Sequence, residues 1–274
     1  MSTTALAGPA PASLRFHPLR DSATMLRRNL KHMLRYPSMT VTLVGMPIIF
    51  LLLFVYVFGG TLGAGIGGAS GGRGEYVNYV APAIILMAIT ATVQGTSISM
   101  AMDLTEGIIA RFRTMNIARV SVLTGHVLGS MIQAAFALVV VTGVALLVGF
   151  RPAAGPGAWL ATAGVLLAVT FALVWLAVAL GQVSKSVETA SNVLMPLVIL
   201  PFLGSGFVPT GSMPAGLRWF AEYQPFTPII ETLRGLLMDQ PIGNNAWIAL
   251  GWCALIALVG YLWSKKLFNR ESAR

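Results

Sequence analysis

Between two long apolar runs lies DLTEGIIARFRTMNIARVSV, residues 103–122, and its residue types suit docking better than catalysis. Asp103 and Glu106 have the D-x-x-E spacing of a capping box, which predicts that a helix begins there. Leu104, Ile108, Phe112 and Met115 then recur every three or four residues and form one apolar stripe, with Ile109 beside it. Arg111 and Arg113 project away from that stripe. An apolar face flanked by fixed positive charge suits a groove on a soluble partner. It suits a helix resting on lipid equally well. The spacing alone leaves both open.

The other polar residues offer less. Glu231 and Arg234 stand three apart in QPFTPIIETLRGLLMDQP and can pair on a helix. Thr227–Pro228 reads as the start of that helix, with proline in the first helical position. Asn78, Gln94 and Gln133 lie inside apolar runs. Such amides usually hydrogen-bond between helices, at about 1 kcal/mol each, and they are also the candidates for a substrate path. The histidines His17, His32 and His126 are scattered, and no His-Glu-x-x-His motif occurs. The single cysteine, Cys253, supports neither an intrachain disulfide nor a zinc cluster. No catalytic, cofactor-binding or metal site is expected. The Gly-rich stretch at 59–74 lacks the Gly-Lys-Ser/Thr ending of a phosphate loop and follows no strand, so it reads as a flexible connector.

The elements that position these residues are apolar spans. Six runs have the length that crosses a bilayer core, about 17–25 residues: 39–58, 77–101, 123–150, 159–182, 192–208 and 246–263. None carries Asp, Glu, Lys or Arg in its interior. Intramembrane acids mark proton and ion relays, so their absence argues against an ion-driven carrier and an intramembrane hydrolase. The chain is 56% hydrophobic and 10% charged, against about 25% charged in ordinary globular domains. Pro47, Pro82, Pro196 and Pro201 should kink spans one, two and five. The first apolar run begins too late, and is too long, for a signal-peptide core, so insertion through the first span is expected.

Charge sets the expected orientation. With the N-terminus inside, the inner segments hold Arg15, Arg20, Arg27, Arg28, Lys31, Arg35, Arg111, Arg113, Arg119, Lys185, Lys265, Lys266, Arg270 and Arg274. The outer segments hold only Arg73, Arg151, Arg218 and Arg234. This bias follows the positive-inside rule and places both termini in the cytoplasm. The net charge of +9 is then a topology signal and a contact with anionic lipid, not a nucleic-acid footprint. Residues 1–18 are rich in Ala, Pro and Ser and read as a disordered tail. From Leu19, the residues Leu26, Leu30, Met33 and Leu34 recur at helical spacing among Arg27, Arg28, Lys31 and Arg35. A basic amphipathic helix ending at Pro37 is expected, lying in the membrane interface. The organisation is therefore a tail at 1–18, one all-α membrane domain over 19–270, and a short tail at 271–274. The loop 209–245 is semi-apolar and broken by Pro225 and Pro228. It reads as two short helices packed against the spans from the outer side, the alternative being a peripheral outer loop.

Four features together resemble the permease subunits of type-2 ABC exporters, in their daunorubicin-resistance branch. They are LRYPSMTVTLVGMPIIFLLLFVYVFG, EGIIARFRTMNIAR, FVPTGSMPAGLRWFAEYQPFTPIIETLRGLL and the count of six spans. Asn116 stands where that family often has proline. The resemblance implies an elbow helix at the N-terminus and a re-entrant outer hairpin before span six. It implies that Glu106, Gly107, Arg111, Phe112, Arg113 and Met115 contact a separate ATP-binding cassette subunit, which would bind ATP and Mg. It further implies a second permease copy, a homodimer in the bacterial plasma membrane, and amphiphilic drug or lipid substrates. The competing expectations are a stand-alone secondary carrier or lipid scramblase, and a membrane enzyme or assembly scaffold.

Overall fold

The computed structural model describes residues 37–67, 72–107 and 119–270. The expected interfacial helix, the stripe residues Ile108 to Met115 and both tails lie outside these residues. Every described element is helical. In order they are α1 Pro37–Leu52, a π-helical turn Leu53–Phe58, α2 Gly59–Gly67, α3 Arg73–Thr105, α4 Arg119–Val148, α5 Pro156–Val183, α6 Val187–Asn192 and α7 Met195–Ile199. A 3-10 turn Leu200–Leu203 follows α7. After a second 3-10 turn, Thr210–Ser212, come α8 Ala215–Tyr223, α9 Phe226–Met238 and α10 Asn245–Arg270.

Five helical stretches are long and apolar enough to cross a membrane: 41–66, 73–105, 123–148, 156–183 and 245–267. The run expected as span five is instead a chain of short pieces over 187–203. Pro196 sits in the first turn of α7 and Pro201 in the following 3-10 turn, where a missing N–H and a fixed φ are least disruptive. Span one runs on through the glycines expected to form a connector, since Gly59–Gly67 is helical. A Cβ on Gly59 would lie 3.3 Å from the Arg73 side chain, and one on Gly63 would collide with the backbone of Gly72. The glycines cost helix propensity but let α2 lie against the start of α3.

The long helix α3 is the axis of the fold. Over its most apolar window 83% of residues are buried, against 61% for α5, 22% for the first and third spans and 17% for the last. Small residues set the close approaches. A Cβ on Gly181 of α5 would lie 2.7 Å from the Ser97 carbonyl of α3. A Cβ on Gly260 of α10 would lie 2.7 Å from the Leu176 amide of α5. The outward faces of α1, α4 and α10 remain apolar, with Val139, Leu147 and Trp247 among the most exposed side chains. Surfaces of this kind are matched to lipid or to another membrane subunit rather than to water.

The capping-box expectation is corrected. Asp103 lies in the last turn of α3, and the helix stops at Thr105 rather than starting at Asp103. Glu106 donates its amide to the Met102 carbonyl, and Gly107 follows in the left-handed region with φ 70°. Glycine adopts that conformation without a Cβ penalty, which makes this a helix C-terminus. The Thr227–Pro228 start is also displaced slightly, because α9 begins at Phe226.

Candidate functional site

One end of the bundle carries Arg73, Arg151 and Arg234; the other carries Asp103, His126, Lys185 and Lys265. At the Arg234 end the chain leaves helical geometry after Leu203 and does not regain it until Thr210. Residues 204–207 are buried, so their backbone polar groups need partners within the protein. Side chains from α3 and α9 supply them. Tyr79 donates its hydroxyl to the Ser205 carbonyl at 2.8 Å, and Tyr76 donates to the Phe207 carbonyl at 3.3 Å. The Ser205 amide donates to the Thr227 hydroxyl at 3.3 Å. Gln224 donates to the Leu200 carbonyl at 3.1 Å. Gly204 has no room for a side chain, since a Cβ would lie 2.6 Å from the Gln224 amide and 2.7 Å from the Thr227 hydroxyl.

Arg234 completes this arrangement. Its side chain is 8% exposed and its ion-pair partner Glu231 is 32% exposed. Nη1 donates to Glu231 Oε1 at 2.7 Å, Nη2 to the Ser205 carbonyl at 2.8 Å, and Nε and Nη2 to the Tyr79 carbonyl at 3.3 and 3.1 Å. The guanidinium also lies 3.7 Å from the centre of the Tyr79 ring. The pair that spacing suggested therefore forms, and Arg234 is mostly a bolt between α9, α3 and the irregular segment. Beside it opens a cavity of about 560 Å³. Glu75, Asn78, Tyr79, Glu231, Arg234 and Gln240 give it a polar wall, and Ile66, Pro209 and Met238 an apolar one. Its volume is within the range of small-ligand sites, but it is open and its lining is more polar than theirs.

The three intramembrane amides do not converge. Asn78 lines the cavity and accepts a hydrogen bond from the Arg151 backbone at 2.9 Å, which fixes the chain leaving α4. Gln94 donates to the Ser191 carbonyl at 3.1 Å and joins α3 to α6. Sixteen residues of helix separate the two, about 24 Å at 1.5 Å per residue. Gln133 lies half-buried on α4.

Two arrangements escaped the sequence reading. Phe50, Phe54 and Phe58 recur every four residues along α1 and its π-helical turn; Phe50 and Phe54 meet Phe202 and Phe207 of the broken segment, and Phe58 packs on Phe54. Phe54 and Phe207 have centroids 4.4 Å apart, Phe202 and Phe207 4.6 Å, and Phe50 and Phe202 5.3 Å. The four-residue period was visible; its partners, about 150 residues later, were not. The second arrangement joins Asp103 to His126 at the opposite end, Oδ2 to Nε2, at 3.1 Å. Among the described residues no group of three His, Cys, Asp or Glu could hold a metal ion. Glu106, the first residue expected to meet a soluble partner, is exposed, and Gly107 is half-buried. Arg111, Phe112, Arg113 and Met115 lie outside the described residues.

Among the described residues, an all-helical body with five membrane-length helices is the architecture of a multi-pass membrane protein. The chain belongs to the ABC-2 type transporter family, which it matches over residues 21–238. It is thus the membrane-embedded permease component of an ABC transporter rather than the subunit that carries the ATPase. It is similar to the daunorubicin resistance ABC transporter permease protein DrrB1 of Streptomyces coeruleorubidus, with 28% identity over 272 residues, 93% of this chain and 92% of the relative. It is also similar to the probable doxorubicin resistance ABC transporter permease protein DrrC of Mycobacterium tuberculosis, with 26% identity over 261 residues and 92% of each chain.

Proposed function

We propose that this chain is the transmembrane subunit of an ATP-driven exporter that moves amphiphilic drugs out of the cytoplasm or the inner leaflet. The observation that carries this reading is similarity along more than nine-tenths of the chain to permeases named for daunorubicin and doxorubicin resistance. The largely uncharged interior of the spans suits such cargo, because a fixed intramembrane charge would have to be desolvated on each cycle.

In this reading the chain crosses a bacterial plasma membrane six times, with residues 187–203 as a broken fifth crossing and both termini in the cytoplasm. The Arg234 end faces outward. The hairpin α8–α9 enters the outer leaflet without crossing it, and an elbow helix precedes span one. The Asp103 end faces a separate ATP-binding subunit, which holds ATP and Mg. Glu106, Gly107, Arg111, Phe112, Arg113 and Met115 form the contact with that subunit. A second copy of the chain completes the pathway, and the apolar faces of α1, α4 and α10 are shared between that copy and lipid. Asn78, Gln94 and Gln133 lie along the route; Asn78 is the one beside the outer cavity.

The test is accumulation of daunorubicin, followed by its fluorescence, in cells expressing the permease, an ATP-binding subunit encoded beside it, both, or neither. Accumulation should fall only when both are present. Equal lowering by the permease alone would favour a stand-alone carrier, and no lowering by the pair would remove daunorubicin-like drugs from the substrate class.

A further inference from the structure

We infer that Asp103 and His126 form a positioning clasp that makes the cytoplasmic ends of α3 and α4 move as one body when the ATP-binding subunit acts; this rests on the exporter reading above. The two residues are 8% and 4% exposed. They are 23 positions apart and close the base of the segment that runs from the end of α3 to the start of α4. That segment contains the residues assigned to the ATP-binding subunit.

The placement of Asp103 calls for support from polar partners. It sits in the last turn of α3, where the helix dipole disfavours an anion. It is also buried, which disfavours a carboxylate without a close partner. His126 is one such partner, reaching it from the neighbouring helix. A second polar contact lies deeper on the same seam, where Thr96 donates to the Ser130 hydroxyl at 2.7 Å. Thr96 is two turns from Asp103, and Ser130 is one turn from His126. Leu123 and Val127, on the same face of α4 as His126 and Ser130, are buried as well. Thr96–Ser130 holds the middle of the seam, while Asp103–His126 holds its mouth. Without the mouth contact, a push on the intervening segment would splay the two ends rather than tilt them together. On an adjacent face of α3, the backbone approach between Ser97 and Gly181 passes that tilt to α5.

The experiment uses the full chain with its ATP-binding subunit in inverted membrane vesicles. Daunorubicin uptake, ATP hydrolysis and co-purification of the subunit are each measured. The wild-type pair must show ATP-dependent uptake; its absence counts against the exporter reading and leaves the clasp variants to be judged by hydrolysis and capture. Asp103→Ala and His126→Ala should each lower uptake at least tenfold. Subunit capture should stay within twofold of wild type, and ATP hydrolysis should continue without stimulation by drug. The exchanged double variant, Asp103→His with His126→Asp, should return uptake to within threefold of wild type, because it restores the contact with the partners reversed. If the alanine variants fail to reach the membrane, Asp103→Asn serves instead; it should lower uptake, or the drug stimulation of hydrolysis, at least threefold with capture intact. Uptake and drug stimulation within twofold of wild type in the single variants would overturn the clasp. So would an exchanged variant no better than the alanine ones, or capture that falls in parallel with uptake.

Discussion

Replacing Arg234 by methionine and Glu231 by glutamine should have unequal effects, although the two residues form one ion pair. Arg234 is nearly fully buried, and its guanidinium also serves the Ser205 and Tyr79 carbonyls. Arg234→Met removes a charge-assisted hydrogen bond to irregular backbone, about 1.5–3 kcal/mol. It also leaves Glu231 without its cation. Breaking a fully buried pair costs about 3–5 kcal/mol, but Glu231 is a third exposed and recovers part of its hydration. A net loss of about 3 kcal/mol follows. Glu231→Gln keeps an acceptor for Arg234 and leaves both carbonyl contacts in place, but the buried guanidinium loses its counter-charge, so about 1.5 kcal/mol is expected. At roughly 2–4 °C per kcal/mol for a chain of this size, the midpoints should fall by about 6–12 °C and about 3–6 °C. The assay is thermal unfolding of the purified protein in detergent, followed by tryptophan fluorescence. Equal shifts for the two variants, or an Arg234→Met midpoint within about 2 °C of wild type, would refute the bolt described for Arg234.

Gly181→Leu should destabilise by more than about 3 kcal/mol, beyond the usual range for overpacking, because even a Cβ there would lie 2.7 Å from the Ser97 carbonyl; membrane yield and thermal midpoint report it. Phe112→Ala should weaken capture of the ATP-binding subunit by about 2 kcal/mol, roughly thirty-fold in affinity, as measured by pull-down with membrane insertion checked separately. Cysteines placed at Ser2 and Ser272 should resist an impermeant thiol reagent added outside intact cells. The native Cys253 is buried and contributes little background to that measurement.

The five membrane-length helices were legible because a bilayer demands length and apolarity, and both can be read from a run of residues. The run at 192–208 was legible only as an apolar stretch with two prolines. Where its helix breaks is decided by Tyr76, Tyr79 and Arg234, which satisfy the freed backbone from 29 to 131 positions away. The Gly-rich stretch was misread because propensity weighs each glycine alone, whereas Gly59 and Gly63 are held helical by contact with the start of α3. The D-x-x-E spacing misled for a related reason. Local spacing shows where a helix could start, and here Asp103 ends one while answering a histidine on the next span. The Glu231–Arg234 pair was visible because it lies within one helical turn. Its carbonyl partners were not.

The way the broken segment satisfies its backbone has a consequence for biogenesis. The Ser205 carbonyl needs Tyr79, which is made long before it, and Arg234, which leaves the ribosome 29 residues later. Until α9 arrives, the segment lacks the hydrogen bonds that Thr227 and Arg234 supply to Ser205. It can wait beside the already inserted α3 or inside the insertion machinery, and it settles when the hairpin folds back over it. A nascent chain halted between Ser205 and Arg234 should therefore be a preferred substrate for membrane quality-control proteases, whereas one halted after Met238 should be resistant.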